Sequence, residues 1–483
     1  MTERLDFQLL QHQDAIEAAV GRHGLPLHVF FLEEMERTAE EFREVRTRLY
    51  PRAAILFAVK SNPCRGAVRA AGRLGLGTDT ASEHELRAAL EEGISPEQIV
   101  CNGNAKTPRY VEAIVQSGVI CAVDNEDELD ELSRTATKRG ARVPILLRFR
   151  GMPLSGFTAD DQTTASEWTK FGFPIDAADE VFARVRAAKG VRFEGISAHI
   201  GTQIADPAAY ERLVVHFVAL ARRAAVCGLA VSRIDFGGGY PVPFISEAEW
   251  KAFQVRLLSR LRRPTGAEGA VTWNDIPMGY GGADVRKREP AWVGKAYWSA
   301  HPGPRMLEHL LTFVHPDGRT TTEHLADLGS PALIVEPGRS LMAGSGVTLA
   351  EVRGTKDVLG NSVVSLDLGI TNHGTNLITP DIFPAAVLPR RADDEPIEAF
   401  LAGRLCFTGD MLSKAKVRLN RAPSVGERLV IYRTGAYSAD HFASNSCGFP
   451  LPAKVAIRRD GAIEVWRRAE TFEDVFGSIE GAE

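Results

Sequence analysis

Short apolar runs alternate with longer stretches of helical periodicity through the first two-thirds of the chain. The runs at 53–60, 76–80, 99–103, 119–124, 142–150, 193–200, 231–237 and 332–336 are bounded by turn residues, as buried strands are. Between most of them the spacing predicts helices, over Ser82 to Glu92, Thr107 to Gly118, Asn125 to Gly140, Ala177 to Gly190 and Pro207 to Gly228. Eight strands with interleaved helices, rich in Val, Ile, Leu and Ala, predict an α/β fold with a parallel (β/α)8 barrel, and an open doubly wound sheet would fit the same alternation. Upstream, residues 1–26 are polar and weakly helical, 27–32 reads as a strand, and 33–50 as a charged amphipathic helix.

After residue 345 the texture changes. Val347 to Val358, Ser362 to Ile370, Ala385 to Pro389, Arg428 to Arg433 and Lys454 to Ile457 are short β-branched runs with little helical periodicity. They predict a C-terminal all-β domain, which the early strand is expected to join. The expected organisation is therefore an N-terminal segment at 1–48, a barrel at 49–345 and a β domain at 346–483. One break interrupts the barrel pattern: residues 240–330 are too many for one strand-to-helix connection. This insertion carries Met278-Gly-Tyr-Gly-Gly282, a Lys/Arg cluster at 286–288, and Trp292, Tyr297 and Trp298. A lid or specificity element and a structural excursion or partner contact fit it equally.

Composition narrows the function classes. With 44% hydrophobic and 25% charged residues over 483 positions, the chain is an ordinary globular protein large enough for two cores. The balance of 57 basic against 62 acidic residues, with no basic run carrying interleaved aromatics, argues against a nucleic-acid partner. Met1-Thr-Glu-Arg-Leu-Asp6 does not read as a secretory signal, and no uncharged apolar stretch reaches the ~18 residues of a membrane span. The cysteines at 64, 101, 121, 227, 406 and 447 form no CxxC or CxxxH pair. Reduced thiols, a cytoplasmic setting and the absence of any metal site are the expectation.

Candidate chemistry gathers where a barrel would place it, at the carboxyl ends of the strands. Lys60 ends the first, in Ala53-Ala-Ile-Leu-Phe-Ala-Val-Lys60-Ser-Asn-Pro63. Apolar neighbours would disfavour its ammonium form and leave a nucleophilic amine able to condense with a carbonyl, while a lysine snorkelling to solvent fits the same segment. Asp79 ends the second strand, Arg148 the fifth and His199 the sixth; Gly237, Gly238 and Gly239 follow the seventh, and Glu336-Pro-Gly338-Arg339 closes the eighth. Three glycines expose backbone N–H groups that could cradle a phosphate, or simply turn the chain. Glu336 could meet a protonated heterocyclic nitrogen and Arg339 an anion, or the two could pair. His199 could stack on a planar group with Thr202 bonding a phosphate oxygen, or sit satisfied in the core. In the β domain, Gly403-Arg-Leu-Cys406-Phe-Thr-Gly-Asp410 sets a thiol and a carboxylate four apart, and Gly435-Ala-Tyr437 offers a phenol on a turn.

The ordered set AVKSNP, HIGTQ, GGG, EPGR, CFTGD and GAY resembles the pyridoxal-phosphate-dependent amino-acid decarboxylases of the diaminopimelate, ornithine and arginine type, the fold type III enzymes, from about residue 27 to 450. The resemblance implies an alanine-racemase-like barrel with a β domain, pyridoxal 5'-phosphate as cofactor, a small amino-acid substrate, and a homodimer with active sites shared between subunits. It implies that Lys60 holds the cofactor as a Schiff base, that His199 stacks on its ring and that Glu336 keeps the ring nitrogen protonated. Gly237, Gly238, Gly239, Thr202, Gly338, Arg339 and Tyr437 would surround the phosphate, with Asp79 and Arg148 close by. Cys406 would return a proton to the substrate from the partner subunit, and Asp410, Arg339 and Tyr437 would contact substrate. Two departures are visible. Phe407 replaces an acid that recognises a distal ammonium group in the ornithine and diaminopimelate enzymes, and Arg404 replaces a proline; CFTGD is nearer the CLAGD of carboxynorspermidine decarboxylases. A bulky or modified amino acid is therefore the expected substrate. A racemase of the same fold would place an arginine where Glu336 stands, and an inactive regulatory homologue would have no use for Lys60 together with Cys406.

Overall fold

The computed structural model describes residues 2–152, 164–263, 266–276, 297–373 and 382–477. The chain forms two compact units, one of Met1–Glu36, Pro243–Trp292 and Met342–Glu483, the other of Arg37–Val242 and Val293–Leu341. The long insertion is thus divided between them. Its 278–282 motif, the 286–288 cluster and Trp292 lie outside the described residues, whereas Tyr297 is buried in the second unit.

In chain order the strands are β1 (Leu27–Phe31), β2 (Ala53–Ala58), β3 (Gly77–Thr80), β4 (Ile99–Cys101), β5 (Ile120–Val123), β6 (Val143–Arg150), the short β7 (Phe173–Pro174), β8 (Val191–Ser197), β9 (Arg233–Asp235) and β10 (Ala332–Val335). From β2 onward, β2, β3, β4, β5, β6, β8, β9 and β10 pair in parallel, and the β5–β6 pairing closes the ring into an eight-stranded barrel. The sequence expectation of a (β/α)8 barrel holds, and the open sheet is excluded. Leu56, Val100, Ile120, Ala122, Leu146 and Ile334 fill the interior as a buried cluster, which explains why these strands read as apolar runs. Several loops at the carboxyl face end in a helix cap: Ser82, Thr107, Asn125 and Asp206 each accept a backbone N–H of the following helix through the side chain. The chain therefore turns from strand to helix over a few residues, and polar side chains at the strand ends face one rim.

The other unit is built on a mixed sheet. Its strands after β1 are β11 (Gly346–Val358), β12 (Asn361–Leu366), β13 (Ala385–Leu388), β14 (Ile397–Ala402), β15 (Val417–Leu419), β16 (Arg428–Tyr432), β17 (Ala453–Ile457) and β18 (Ile463–Arg467). β1 lies between β11, antiparallel, and β17, parallel. Leu27, Val29 and Phe31 pack there with Val347, Leu349, Val430, Val455 and Ile457, and with Leu5, Leu9 and Ile16 of the two N-terminal helices. The helix Glu247–Arg262, which periodicity alone did not mark, opens with a capping box between Ser246 and Glu249.

Candidate active site

The barrel rim holds a buried, continuously bonded set of charged groups. β2 stops at Ala58, and Val59–Ser61 makes a single 3-10 turn, so Lys60 stands two residues beyond the strand. Its Nζ donates to Asp79 Oδ2 on the neighbouring strand β3. A buried carboxylate, rather than apolar surroundings, is what Lys60 meets: its side chain is 35% exposed and that of Asp79 is fully buried. This corrects the expectation of apolar neighbours around Lys60: its partner is a buried carboxylate.

Asn102, just past β4, joins this pair to a second acid. Its Nδ2 donates to Asp79 Oδ1 at 2.8 Å and to Glu336 Oε1 at 2.9 Å. Glu336, one residue past β10, is 3% exposed, and its own N–H donates to Gly237 O at 2.9 Å. Its carboxyl is also hydrogen-bonded to that of Asp235 at the end of β9. Burial, then the Asp235 and Asp79 carboxylates, push the pKa of Glu336 well up, while Lys60 opposes. Asp235 is pushed up to about 7 by burial first, held back by the Gly237 N–H.

Arg148, near the end of β6, adds a buried guanidinium 3.9 Å from Asp124 and 4.1 Å above the Phe171 ring. Burial lowers its pKa, and the Asp124, Glu336, Asp79 and Asp235 carboxylates oppose that. His199 follows β8. Its Nδ1 faces the Gly201 N–H at 3.2 Å and the Thr164 hydroxyl at 3.1 Å, and burial, then the Lys60 and Arg148 cations, hold its pKa well below the usual histidine value. A neutral ring with a backbone N–H aimed at Nδ1 carries its proton on Nε2.

The glycine loop passes so close to these groups that no side chain fits. A Cβ on Gly237 would fall 2.8 Å from Ala198 O, on Gly238 2.6 Å from Glu336 O, and on Gly239 2.7 Å from Gly201 O; Gly237 and Gly239 also have positive φ, 64° and 91°. Gly237 N–H is taken by Asp235 Oδ1 at 2.9 Å, and among the described residues no acceptor meets the N–H of Gly238 or Gly239. Two free amides side by side form an anion cradle. Gly338 brings the Glu336–Arg339 turn against β2, because its Cβ would lie 3.0 Å from that of Ser61 and 3.1 Å from that of Ala58. Arg339 is buried beyond it, and Thr202 is half-buried on the segment after His199.

The barrel unit thus brings together Lys60, Asp79, Arg148, His199, the three glycines and Glu336, with Thr202, Gly338 and Arg339 on the adjoining turns. Cys406, Asp410 and Tyr437 belong to the other unit. There Cys406 and Phe407 are exposed at the tip of a tight loop. Asp410 commits its oxygens to that loop's shape, accepting from Leu405 N–H at 2.6 Å and Ile370 N–H at 2.7 Å. Tyr437 has positive φ, 59°, and lies edge-on to His441. Sequence reasoning missed Asn102 and Asp235, and the only signal each carried was its place at or just past a strand's carboxyl end. Among the described residues there is no group of three or more potential metal ligands, and no helix is long and apolar enough to cross a membrane.

Comparison with known proteins points the same way. Residues 33–261 match the family model described as pyridoxal-dependent decarboxylase, pyridoxal binding domain. The chain is 28% identical over 459 residues to a diaminopimelate decarboxylase of Actinosynnema pretiosum, covering 94% of this chain and 89% of that protein. It is 27% identical over 448 residues to the uncharacterized protein y4yA of Sinorhizobium fredii, covering 91% and 89%. Among solved structures, diaminopimelate decarboxylase from M. jannaschii in complex with L-lysine superposes with a TM-score of 0.77 at 20% identity, covering 96% of this chain and 94% of that one.

Proposed function

We propose that this chain, a pyridoxal-phosphate-dependent decarboxylase of fold type III, removes the α-carboxyl of an amino acid whose side chain is bulky or modified, rather than that of simple lysine or ornithine. The observation that carries the reading is the unbroken line Lys60–Asp79–Asn102–Glu336 beside the glycine cradle. A nucleophilic amine needs a base within reach, and a protonated ring nitrogen needs an anion; one amide, that of Asn102, spans both. The residues fit pyridoxal 5'-phosphate on the same evidence, since the Gly238 and Gly239 amides offer two donors to a phosphate and a Cβ on either would close the space they frame. When bound, the coenzyme supplies a conjugated cationic ring that accepts the electron pair left by a departing carboxyl.

Around it the protein has these tasks. Lys60 Nζ would hold the coenzyme, with Asp79 taking and returning its proton. His199, neutral and protonated on Nε2, would lie against the ring face, and the cations Arg148 and Arg339 would offset the charge of ring substituents and phosphate. Thr202 would add a hydroxyl to the phosphate shell. Glu336 would hold the proton at the ring nitrogen. Cys406, exposed on its loop, would deliver a proton to Cα from a second copy of the chain, so that the working unit is a homodimer. Asp410 would keep that loop in shape rather than meet substrate.

Cys406→Ala tests the last assignment. Loss of a positioned acid should lower kcat by ~10²-fold without loss of bound coenzyme; unchanged turnover and an unchanged product would remove Cys406 from the reaction. Mixing this variant with Lys60→Ala should restore part of the activity if each site draws on two chains. For substrate class, Phe407 is 55% exposed where an acid would be needed to meet a distal ammonium group. L-lysine and L-ornithine should therefore be decarboxylated slowly in a CO2-release screen of D- and L-amino acids and conjugated diamino acids. Efficient turnover of either simple diamino acid overturns the pocket assignment.

A further inference from the structure

Asp235 has no part in the roles above, yet it is one of the most enclosed groups in the molecule, with no exposed surface. It ends β9 opposite Ile334 of β10, two residues before Glu336. Its Oδ1 takes the Gly237 N–H at 2.9 Å, its Oδ2 faces the Ser197 hydroxyl at 3.4 Å, and its carboxyl meets that of Glu336. Two carboxyl groups can hydrogen-bond to each other only through a proton. Both Asp235 oxygens already face donors, the Gly237 N–H on Oδ1 and the Ser197 hydroxyl on Oδ2, and Asn102 donates to Glu336 Oε1, which leaves the other Glu336 oxygen to carry the shared hydrogen and Asp235 to accept it.

The charges nearby require such a proton. Asp79, Asp235, Glu336 and Asp124 converge on Lys60 and Arg148, with neutral His199, Tyr240 and the partly enclosed Glu85, itself pushed up to about 7 mainly by burial, around them. Asp124 is also offset by Lys106 and Lys170, but Asp79, Asp235 and Glu336 share Lys60 and Arg148, and three buried carboxylates against two cations would be unfavourable. One retained proton relieves this.

We propose that Asp235 is a positioning residue that keeps a proton on Glu336 Oε2 in the coenzyme-free protein, and that this stored proton, not one from solvent, protonates the coenzyme's ring nitrogen when it docks. In the transfer the O–H bond of Glu336 breaks and an N–H bond forms; Glu336 becomes the carboxylate that faces the cationic ring, and Asp235 remains a carboxylate held by the Gly237 N–H and the Ser197 hydroxyl. The hand-over rests on the assignment of Glu336 to the ring nitrogen; the stored proton does not.

Asp235→Asn separates charge from structure. The asparagine carbonyl can still accept the Gly237 N–H, but its amide would donate to Glu336 and leave that residue ionised. Infrared difference spectra of the coenzyme-free protein near pH 8 should show the carbonyl stretch of a protonated, buried carboxylic acid, lost in Asp235→Asn and in Glu336→Gln. Absence of the band from the parent, or its persistence in Asp235→Asn, overturns the proposal. Proton uptake on binding pyridoxal 5'-phosphate, measured in weak buffer, should rise by one proton per chain in Asp235→Asn. If the band behaves as expected but the uptake is unchanged, the hand-over fails together with the assignment of Glu336 to the ring, while the Asp235–Glu336 proton store stands.

Discussion

Lys60→Ala will lose covalent attachment of pyridoxal 5'-phosphate and turn over substrate at least ~10³-fold more slowly than the parent chain. Nζ is the proposed nucleophile at the rim, and alanine offers nothing to replace it. The substitution also leaves the buried Asp79 carboxylate with Asn102 alone on its Oδ1 and no cation on Oδ2, beside two further acids. Some loss of stability is therefore expected, tempered because the Lys60 side chain reaches partly into solvent. Lys60→Arg distinguishes the two effects: a guanidinium can keep the charge opposite Asp79 but cannot act as a free amine, so stability should return and activity should not. The decisive measurement is reductive trapping of the coenzyme followed by peptide mapping. Label on the peptide carrying Lys60 is expected; label on another lysine, or wild-type turnover by Lys60→Ala, refutes the assignment.

Much of this arrangement is legible along the chain because a parallel barrel strand is buried on both faces. Val100, Ile120, Ala122 and Leu146 sit in unbroken apolar runs, and each polar residue that ends such a run stands out. Lys60, Asp79, Arg148, His199 and Glu336 are recognisable for that reason. Boundaries shift by a few residues, as where the 53–60 run becomes a strand to Ala58 and a turn, because a local helical hydrogen bond at Asn62 competes with the ladder. Asn102 and Asp235 are not legible in the same way. An asparagine after a strand, or an aspartate near glycines, reads as turn chemistry. Their importance comes from β3 lying beside β4 and β9 beside β10, which no local pattern reveals. The loop at Cys406 shows the converse: the family resemblance implies that Asp410 contacts substrate, yet two backbone amides already bond its oxygens.

Glu336→Gln will fold and retain coenzyme but lose ~10²–10³-fold in kcat, the cost of removing one preorganised electrostatic partner, about 3–4 kcal/mol. The substitution is nearly isosteric, and the buried network can accommodate it. The glutamine carbonyl can accept from Asn102 as Oε1 does now, and its amide can donate to Asp235 in place of the shared proton. What it cannot supply is the negative charge proposed to face the ring nitrogen, so on that proposal turnover falls while binding persists. The coenzyme-free protein gives a second readout. Because the carboxyls of Glu336 and Asp235 have folded-state pKa values above their unfolded ones, their contribution to stability is complete at low pH and is lost as pH rises, for Asp235 through about 7. Removing one of the two acids should flatten this decline, so the midpoint of thermal unfolding in Glu336→Gln should fall less between about pH 5 and 8 than in the parent. A kcat within ~3-fold of the parent, or an equally steep loss of stability with pH, would mean that Glu336 neither carries the proton nor faces the ring.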